Sequence, residues 1–253
     1  MEEIKWLNKN RIVDLHAHIV PGFDDGARDI DEAIAMIKME IEQGVTDIFC
    51  TSHNGYSLQD GNEYREKFYL LQEAVKRENL NVNLYQGCEV LCASDYIDEI
   101  VYGLEIGAFP TLNGTRYVLT ELYPDCRPTE ALTIIRTLLD SGYKPIIAHM
   151  ERNYNITGPM VSLLINSGAL IQVNAYSLGE ETSPIRKDIA RTLLKEKQVH
   201  FIGSDAHRLT HRPPNLKSGI EYINKTVDNF YASDILFNNA SKYILSENTA
   251  SVK

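Results

Sequence analysis

The chain has 253 residues, with 25 Lys and Arg against 35 Asp and Glu, a formal net charge of -10 and 43% apolar residues. That length suits one α/β barrel or two small domains, and the ordinary apolar and charged fractions exclude a largely disordered or collagenous chain. The acidic balance argues against a nucleic-acid binder, which needs clustered Lys and Arg along the phosphate backbone.

The segment MEEIKWLNKN lacks the apolar stretch of a signal peptide, and nowhere do 18 apolar residues run together. A cytoplasmic protein with no membrane insertion is therefore expected. Short β-branched runs then alternate with segments of helical period. Strands are predicted at 11–15, 46–50, 82–87, 116–120, 145–148, 169–173 and 199–203, with helices near 30–43, 61–78, 94–101, 128–141, 157–167 and 184–196 and more helix after 215.

In the first helix, Asp29 and Glu32 have capping-box spacing, Ile30, Ala33, Ile34, Ile37 and Ile41 form one apolar stripe, and Gly44 closes the end. The second helix carries Phe68, Leu71 and Val75 on one face and charges on the other. Strict β/α alternation implies parallel strands with helical crossovers. Seven such units point to an α/β fold with a closed or nearly closed barrel, a doubly wound sheet being the alternative. No Pro/Gly/Ser-rich linker interrupts the chain, so residues 1–253 are expected to form a single domain.

Cys50, Cys88, Cys92 and Cys126 are too sparse to staple a chain this long. They are expected to be reduced, small buried hydrophobes. None is followed at the sixth position by Arg, so the Cys-x5-Arg loop of cysteine-dependent phosphatases is absent.

In a parallel barrel the chemistry lies at the carboxyl ends of the strands. There the sequence places His16 and His18, His53, Glu89, Glu121, His149, and Asp205 with His207, while Asp24 and Asp25 follow the first strand. On a strand, residues i and i+2 share a face, so His-x-His can aim two imidazoles at one cation, and Asp-x-His repeats that geometry. With Asp25 included, nine nitrogen and oxygen ligands exceed what one tetrahedral zinc uses. Such ligands suit two or three ions of Mn²⁺, Fe²⁺ or Zn²⁺, with a carboxylate such as Glu89 bridging.

Phosphate is the favoured ligand class, because Arg152 follows His149 and Arg208, His211 and Arg212 follow His207. Guanidinium forks match phosphoryl oxygens. Arg152 and Arg212 are the expected clamps, with Arg208 and His211 as further candidates. Tyr56, Tyr123 and Tyr176 near strand ends could stack on an aromatic substrate.

The segments DLHAHIVPGFDDGA, TSHNGY, GCEV, LTELYP, AHMERN, QVNAYSLG and SDAHRLTHRPP span residues 14 to 214. In this order they resemble the PHP (polymerase and histidinol phosphatase) superfamily, and more closely its CpsB/YwqE-type protein-tyrosine phosphatases of Gram-positive bacteria. The resemblance implies a distorted (β/α)7 TIM-like barrel holding three metals, often manganese, with Co²⁺ and Mg²⁺ also conceivable. It groups His16, His18, Glu89 and Asp205 around one metal, Glu89, Glu121 and His149 around a second, and Asp25, His53 and His207 around a third. It also puts Arg152 and Arg212 on the phosphate.

What it implies chemically is hydrolysis of phosphotyrosine by attack of a metal-bridging hydroxide, opposing a tyrosine kinase of capsule or exopolysaccharide synthesis whose phosphorylated tail would be the protein partner. Asp25, His53 and His211 are candidates for a general acid. Three positions depart from the family pattern. Asn54 stands where a second histidine is common, Ser52 where Pro is usual, and Leu122-Tyr123-Pro124 follow Glu121. The alternatives are a PHP phosphatase of histidinol phosphate or a sugar phosphate, an amidohydrolase, which would want a bridging Lys near Glu121, and a metal-bearing binding module without catalysis.

Overall fold

The computed structural model describes residues 11–53, 61–179 and 182–246. Asn54 and Tyr56 lie outside the described residues. In chain order the elements are β1 (Val13–Ala17), α1 (Ile30–Glu42), β2 (Asp47–Cys50), α2 (Gly61–Arg77), β3 (Asn83–Gln86), β4 (Glu89–Cys92) and α3 (Ile97–Glu105). They continue with β5 (Tyr117–Leu122), α4 (Pro128–Asp140), β6 (Lys144–Ile147), α5 (Gly158–Asn166) and β7 (Leu170–Asn174). The last are α6 (Ala175–Leu178), α7 (Pro184–Lys195), β8 (Phe201–Gly203), α8 (Lys217–Thr226) and α9 (Asn229–Ser233).

All strand pairs are parallel, in two ladders ordered β1-β2-β3 and β4-β5-β6-β7-β8. Bridges between His53 and Glu89 and between Ala17 and Ala206 join the ladders. At the second seam Asp205 N donates to His16 O (2.7 Å) and His18 N to Ala206 O (2.8 Å). Asp14 Oδ1 reinforces it by accepting from Ser204 N (2.9 Å) and His16 N (3.0 Å). The strands thus run round a distorted TIM-like ring, the expected α/β barrel.

One correction concerns the third strand. The run predicted over 82–87 is β3, paired with β2, but past a break at Gly87-Cys88 the structure adds β4, paired with β5, where no strand is predicted. Tyr64 of α2 causes the break. Its hydroxyl donates to Cys50 O (2.6 Å) and accepts from Gly87 N (3.1 Å), so that backbone donor is lost to the ladder. A Cβ on Gly87 would lie 2.7 Å from Leu112 Cδ2 and 3.1 Å from Thr51 Cγ2, so a larger residue at the break would have to push both side chains aside.

The first helix keeps half of its predicted cap. Asp29 Oδ1 accepts from Glu32 N (2.8 Å), but the Glu32 carboxylate turns to Arg28, taking its N (3.0 Å) and Nε (2.7 Å). Gly44, at φ +92°, ends the helix as expected.

Two apolar layers hold the ring. The outer one packs Ala33, Ile37 and Leu71 of the helices against Ile48, Val118, Ile147, Ile171 and Ile202 of the strands. The inner one gathers Leu15, Phe49, Leu119, Ile146 and Phe201 with Ala240 and Ile244 from the C-terminal turns. Each such fully buried side chain contributes roughly 1.5–3 kcal/mol. This inner cluster is a floor, and the polar side chains stand above it at the strand ends. The four cysteines are buried and form no disulfide among the described residues. No helix among the described residues is long and apolar enough to cross a membrane.

Candidate metal centre

The ladder between β1 and β2 slips between Asp14 and Ala17. Past this bulge His16 and His18 face the same way, with Nε2 atoms 3.0 Å apart. Bulges commonly re-aim a side chain beside an active site. Glu89, the first residue of β4, puts Oε2 3.1 Å from both of those nitrogens and 3.2 Å from His53 Nδ1. Its Oε1 lies 2.7 Å from His149 Nε2. Glu121 Oε1 is 3.5 Å from the same nitrogen, and Asp205 Oδ1 is 3.7 Å from His16 Nε2. Asp25 Oδ1 closes the outer side, 3.5 Å from His207 Nε2 and 3.9 Å from His53 Nε2.

Three groups could hold a cation: His16, His18, Glu89 and Asp205; His53, Glu89 and Glu121; and His18, Asp25, His53 and His207. Eight of the nine candidates fall in these groups, and His149, with Nε2 2.7 Å from Glu89 Oε1, borders the same cup without belonging to one. The grouping differs in detail from the expected one, since His53 joins Glu89 and Glu121, and His18 faces two groups.

The donor set fits divalent cations. His207 Nε2 is buried without a hydrogen-bond partner, and Glu89 Oε2 is crowded by three imidazole nitrogens without meeting any of them in hydrogen-bond geometry. Leaving such atoms unmatched costs about 1–3 kcal/mol each, and a cation would satisfy both. The set is imidazole nitrogen and carboxylate oxygen with no thiolate, as first-row divalent ions prefer.

Electrostatics point the same way. Burial disfavours charge on His16, but Glu89 overcomes it and raises the pKa. Burial likewise opposes ionisation of Glu89, which His16 and His149 nonetheless hold well below the carboxylate range. Ligands must shed protons to bind metal, so affinity rises with pH.

The surrounding residues fix these ligands. Asp24 takes His18 Nδ1 on Oδ2 (2.7 Å) together with His53 N (2.8 Å), while its Oδ1 accepts from Gly26 N (2.9 Å). That bond sets the tautomer in which His18 Nε2 points into the cup. His149, Asp205 and Arg212 sit at φ +30°, +51° and +59°, in the left-handed region. Such conformations cost of order 1–3 kcal/mol each and cluster at functional sites. Nothing in the sequence pattern announces them.

Beside the cup opens a pocket of about 540 Å³, lined by Glu121, His149, Arg152, Tyr176, Arg186, His211 and Arg212 among others. Arg152 Nη2 bonds Asp205 Oδ2, and Arg212 Nη1 donates to Asp205 Oδ1 (2.9 Å). One carboxylate thus aligns both guanidinium groups along the wall. His211 lines the same pocket, whereas Arg208 turns away and donates from Nε to Asp25 O (3.0 Å). Arg186, which the sequence does not single out, joins the wall with Nε on Tyr154 Oη (3.0 Å). Strand β7 supplies no candidate ligand but contributes Gln172 and Asn174, buried behind His149 and Asp205.

Burial first, then Glu89, pushes the Glu121 carboxyl up to about 8 from an ordinary 4.5. The folded state then holds this proton more tightly than the unfolded chain does. The contribution to stability is intact below 4.5 and is lost as pH rises toward about 8. Glu121→Gln should therefore raise the melting temperature of chelator-treated protein at alkaline pH and flatten its pH dependence, while weakening metal binding. Melting curves with and without chelator check this; a variant melting below its parent in chelator near pH 8 contradicts it.

A family model described as "Capsular polysaccharide synthesis, CpsB/CapC" matches residues 12–245. The chain is 36% identical over 211 residues to a putative tyrosine-protein phosphatase CapC of Staphylococcus aureus, covering 81% of each chain. It is 29% identical to the tyrosine-protein phosphatase CpsB of Streptococcus pneumoniae over 93% of this chain and 99% of that one.

Among solved structures it is similar to one reported with the crystal structures of YwqE from Bacillus subtilis and CpsB from Streptococcus pneumoniae, metal-dependent tyrosine phosphatases. The TM-score there is 0.82, at 26% identity, covering 94% of this chain and 96% of that one. An amidohydrolase from Mycoplasma synoviae shares the fold, with a TM-score of 0.63 at 16% identity. With the model match running almost the length of the described ring, the chain belongs to the CpsB/CapC family.

Proposed function

We propose that this chain is a metal-dependent protein-tyrosine phosphatase, a single metallophosphatase domain in which His16, His18, Asp25, His53, Glu89, Glu121, His149, Asp205 and His207 hold two or three divalent cations. Manganese is the first candidate, with Fe²⁺, Zn²⁺, Co²⁺ and Mg²⁺ as alternatives. The observation that carries the reading is the convergence of eight oxygen and nitrogen side chains, with His149 against Glu89, beside a pocket walled by Arg152 and Arg212. Bound cations would lower the pKa of water to supply hydroxide at neutral pH and would offset charge on phosphoryl oxygens.

The protein's own groups do the rest. Arg152 and Arg212 take the remaining phosphoryl oxygens, with the shared carboxylate of Asp205 keeping their forks turned inward. Asp24 holds His18 in one tautomer, and Gln172 Oε1 accepts from His149 N (2.6 Å) to fix the β6 end. Displacement at phosphorus expels a tyrosine phenolate, whose conjugate acid has a pKa of about 10 and is a tolerable leaving group. His211, on the pocket wall beside Arg212, is the general-acid candidate that faces this space.

The named relatives support a phosphotyrosyl protein as substrate, and the family description supports a place opposite a tyrosine kinase of capsule synthesis. Four buried thiols that form no disulfide among the described residues suit a reducing compartment such as the cytoplasm. Elemental analysis combined with turnover of a phosphotyrosyl peptide and of histidinol phosphate tests the proposal. The peptide is expected to be the better substrate with Mn²⁺. Preference for histidinol phosphate would make it a small-molecule phosphatase, and full metal loading without turnover of either would make it a binding module.

A further inference from the structure

The amide orientations behind the pocket can be fixed without ambiguity. His149 N is a backbone donor and lies 2.6 Å from Gln172, so the atom it meets is the carbonyl Oε1. The other end of Gln172 is then the amide Nε2, which donates to Asn174 Oδ1 (3.0 Å). That in turn makes Asn174 Nδ2 a donor, with one hydrogen to Asp205 Oδ2 (3.0 Å) and one to Tyr176 Oη (3.3 Å). Arg152 Nη2, which can only donate, is also 3.0 Å from Tyr176 Oη.

The Tyr176 hydroxyl therefore accepts twice, and its own proton has no acceptor among the described residues. Tyr176 is half-buried and lines the 540 Å³ pocket beside Arg152. A phenol whose oxygen is turned toward two donors must send its hydrogen elsewhere, and the remaining open side is the pocket.

We infer that Tyr176 is a third anchor for the phosphoryl group, donating its hydroxyl proton to a non-bridging oxygen next to the one held by Arg152. This deepens the phosphatase reading and rests on it. The chain Gln172–Asn174–Tyr176 carries the orientation from the His149 backbone amide, just past β6, to the substrate, which gives the otherwise ligand-free β7 a role. Hydrogen bonding, rather than stacking, is then what the ring's position serves.

The test is Tyr176→Phe in the full, metal-loaded chain, which keeps the ring and removes one oxygen. The inhibition constant of inorganic phosphate against p-nitrophenyl phosphate should rise about tenfold or more, since a hydrogen bond to a charged oxygen is at stake, with metal content unchanged. Because Tyr176 also touches Arg152, the substitution is repeated on Arg152→Ala. A direct anchor weakens phosphate binding again in that background, whereas a residue acting only by positioning Arg152 has no further effect, and that result would overturn the inference. An unchanged inhibition constant in the single variant overturns it too. If the parent protein turns over no phosphate ester, the phosphatase reading fails separately, and calorimetric binding of inorganic phosphate to parent and variant still decides the role of the hydroxyl.

Discussion

Glu89→Ala should empty the cup of divalent cations and lower turnover of p-nitrophenyl phosphate by about a thousandfold or more, because metal, ligands and clamps act as one unit. No other carboxylate is so central. Glu89 lies within 3.2 Å of His16, His18, His53 and His149, and it belongs to two of the three cation groups. It also supplies the negative charge that raises the His16 pKa against burial. In the variant that support disappears, so the imidazoles stay neutral to lower pH and the metal-free protein loses their attraction. Elemental analysis and steady-state rates across added Mn²⁺ measure both effects. A variant that keeps its metal and near-parental rates in metal-rich buffer would remove the central role assigned here.

Arg152→Ala should cut kcat/KM about 100-fold to 1,000-fold, the usual loss when a preorganised donor to a developing negative charge is removed. Arg152 has a buried Nε without a hydrogen-bond partner, and its Nη2 is held by Asp205 and Tyr176. The guanidinium is thus poised with a donor still to place. Arg152→Lys should restore only part of the rate, because a lysine ammonium cannot reproduce a two-pronged contact. Metal content measured alongside separates loss of the clamp from disturbance of Asp205. Equal rates for the alanine and lysine variants, near the parent's, would show that the phosphate is held elsewhere.

Much of this was legible in the sequence because two physical rules are strong. Strand alternation placed His16 with His18, and β/α alternation placed the candidates at one rim, whereas Asp205 and His207 lie past β8, with Asp205 at φ +51° and the two in different cation groups. What escaped depends on contacts between distant residues. The break between β3 and β4 needs Tyr64 and Leu112, which lie 23 and 25 positions from Gly87, and no local pattern encodes their meeting. The left-handed backbone of His149 and Asp205 is set by the ring; both residue types visit that region more readily than most, but no local pattern marks these two positions.

Some signals were present and unread. Gln172 and Asn174 alternate on an otherwise apolar strand, which is the pattern of an inward polar face. Arg208 stood behind Arg212 as a phosphate candidate in the sequence, and the tight 207–212 turn, closed by His207 N to Arg212 O (2.9 Å), sends the two side chains in different directions.

The buried cysteines have a further consequence. Burial pushes the Cys126 thiol up to about 11 and raises Cys50 well above its usual range, so neither presents a thiolate near neutrality. Phosphatases that attack with sulfur fall silent when peroxide oxidises it. Here the reaction is assigned to oxygen and nitrogen ligands, so an oxidative burst that locks tyrosine phosphorylation elsewhere in a cell would leave this protein chain without a sulfur nucleophile to lose.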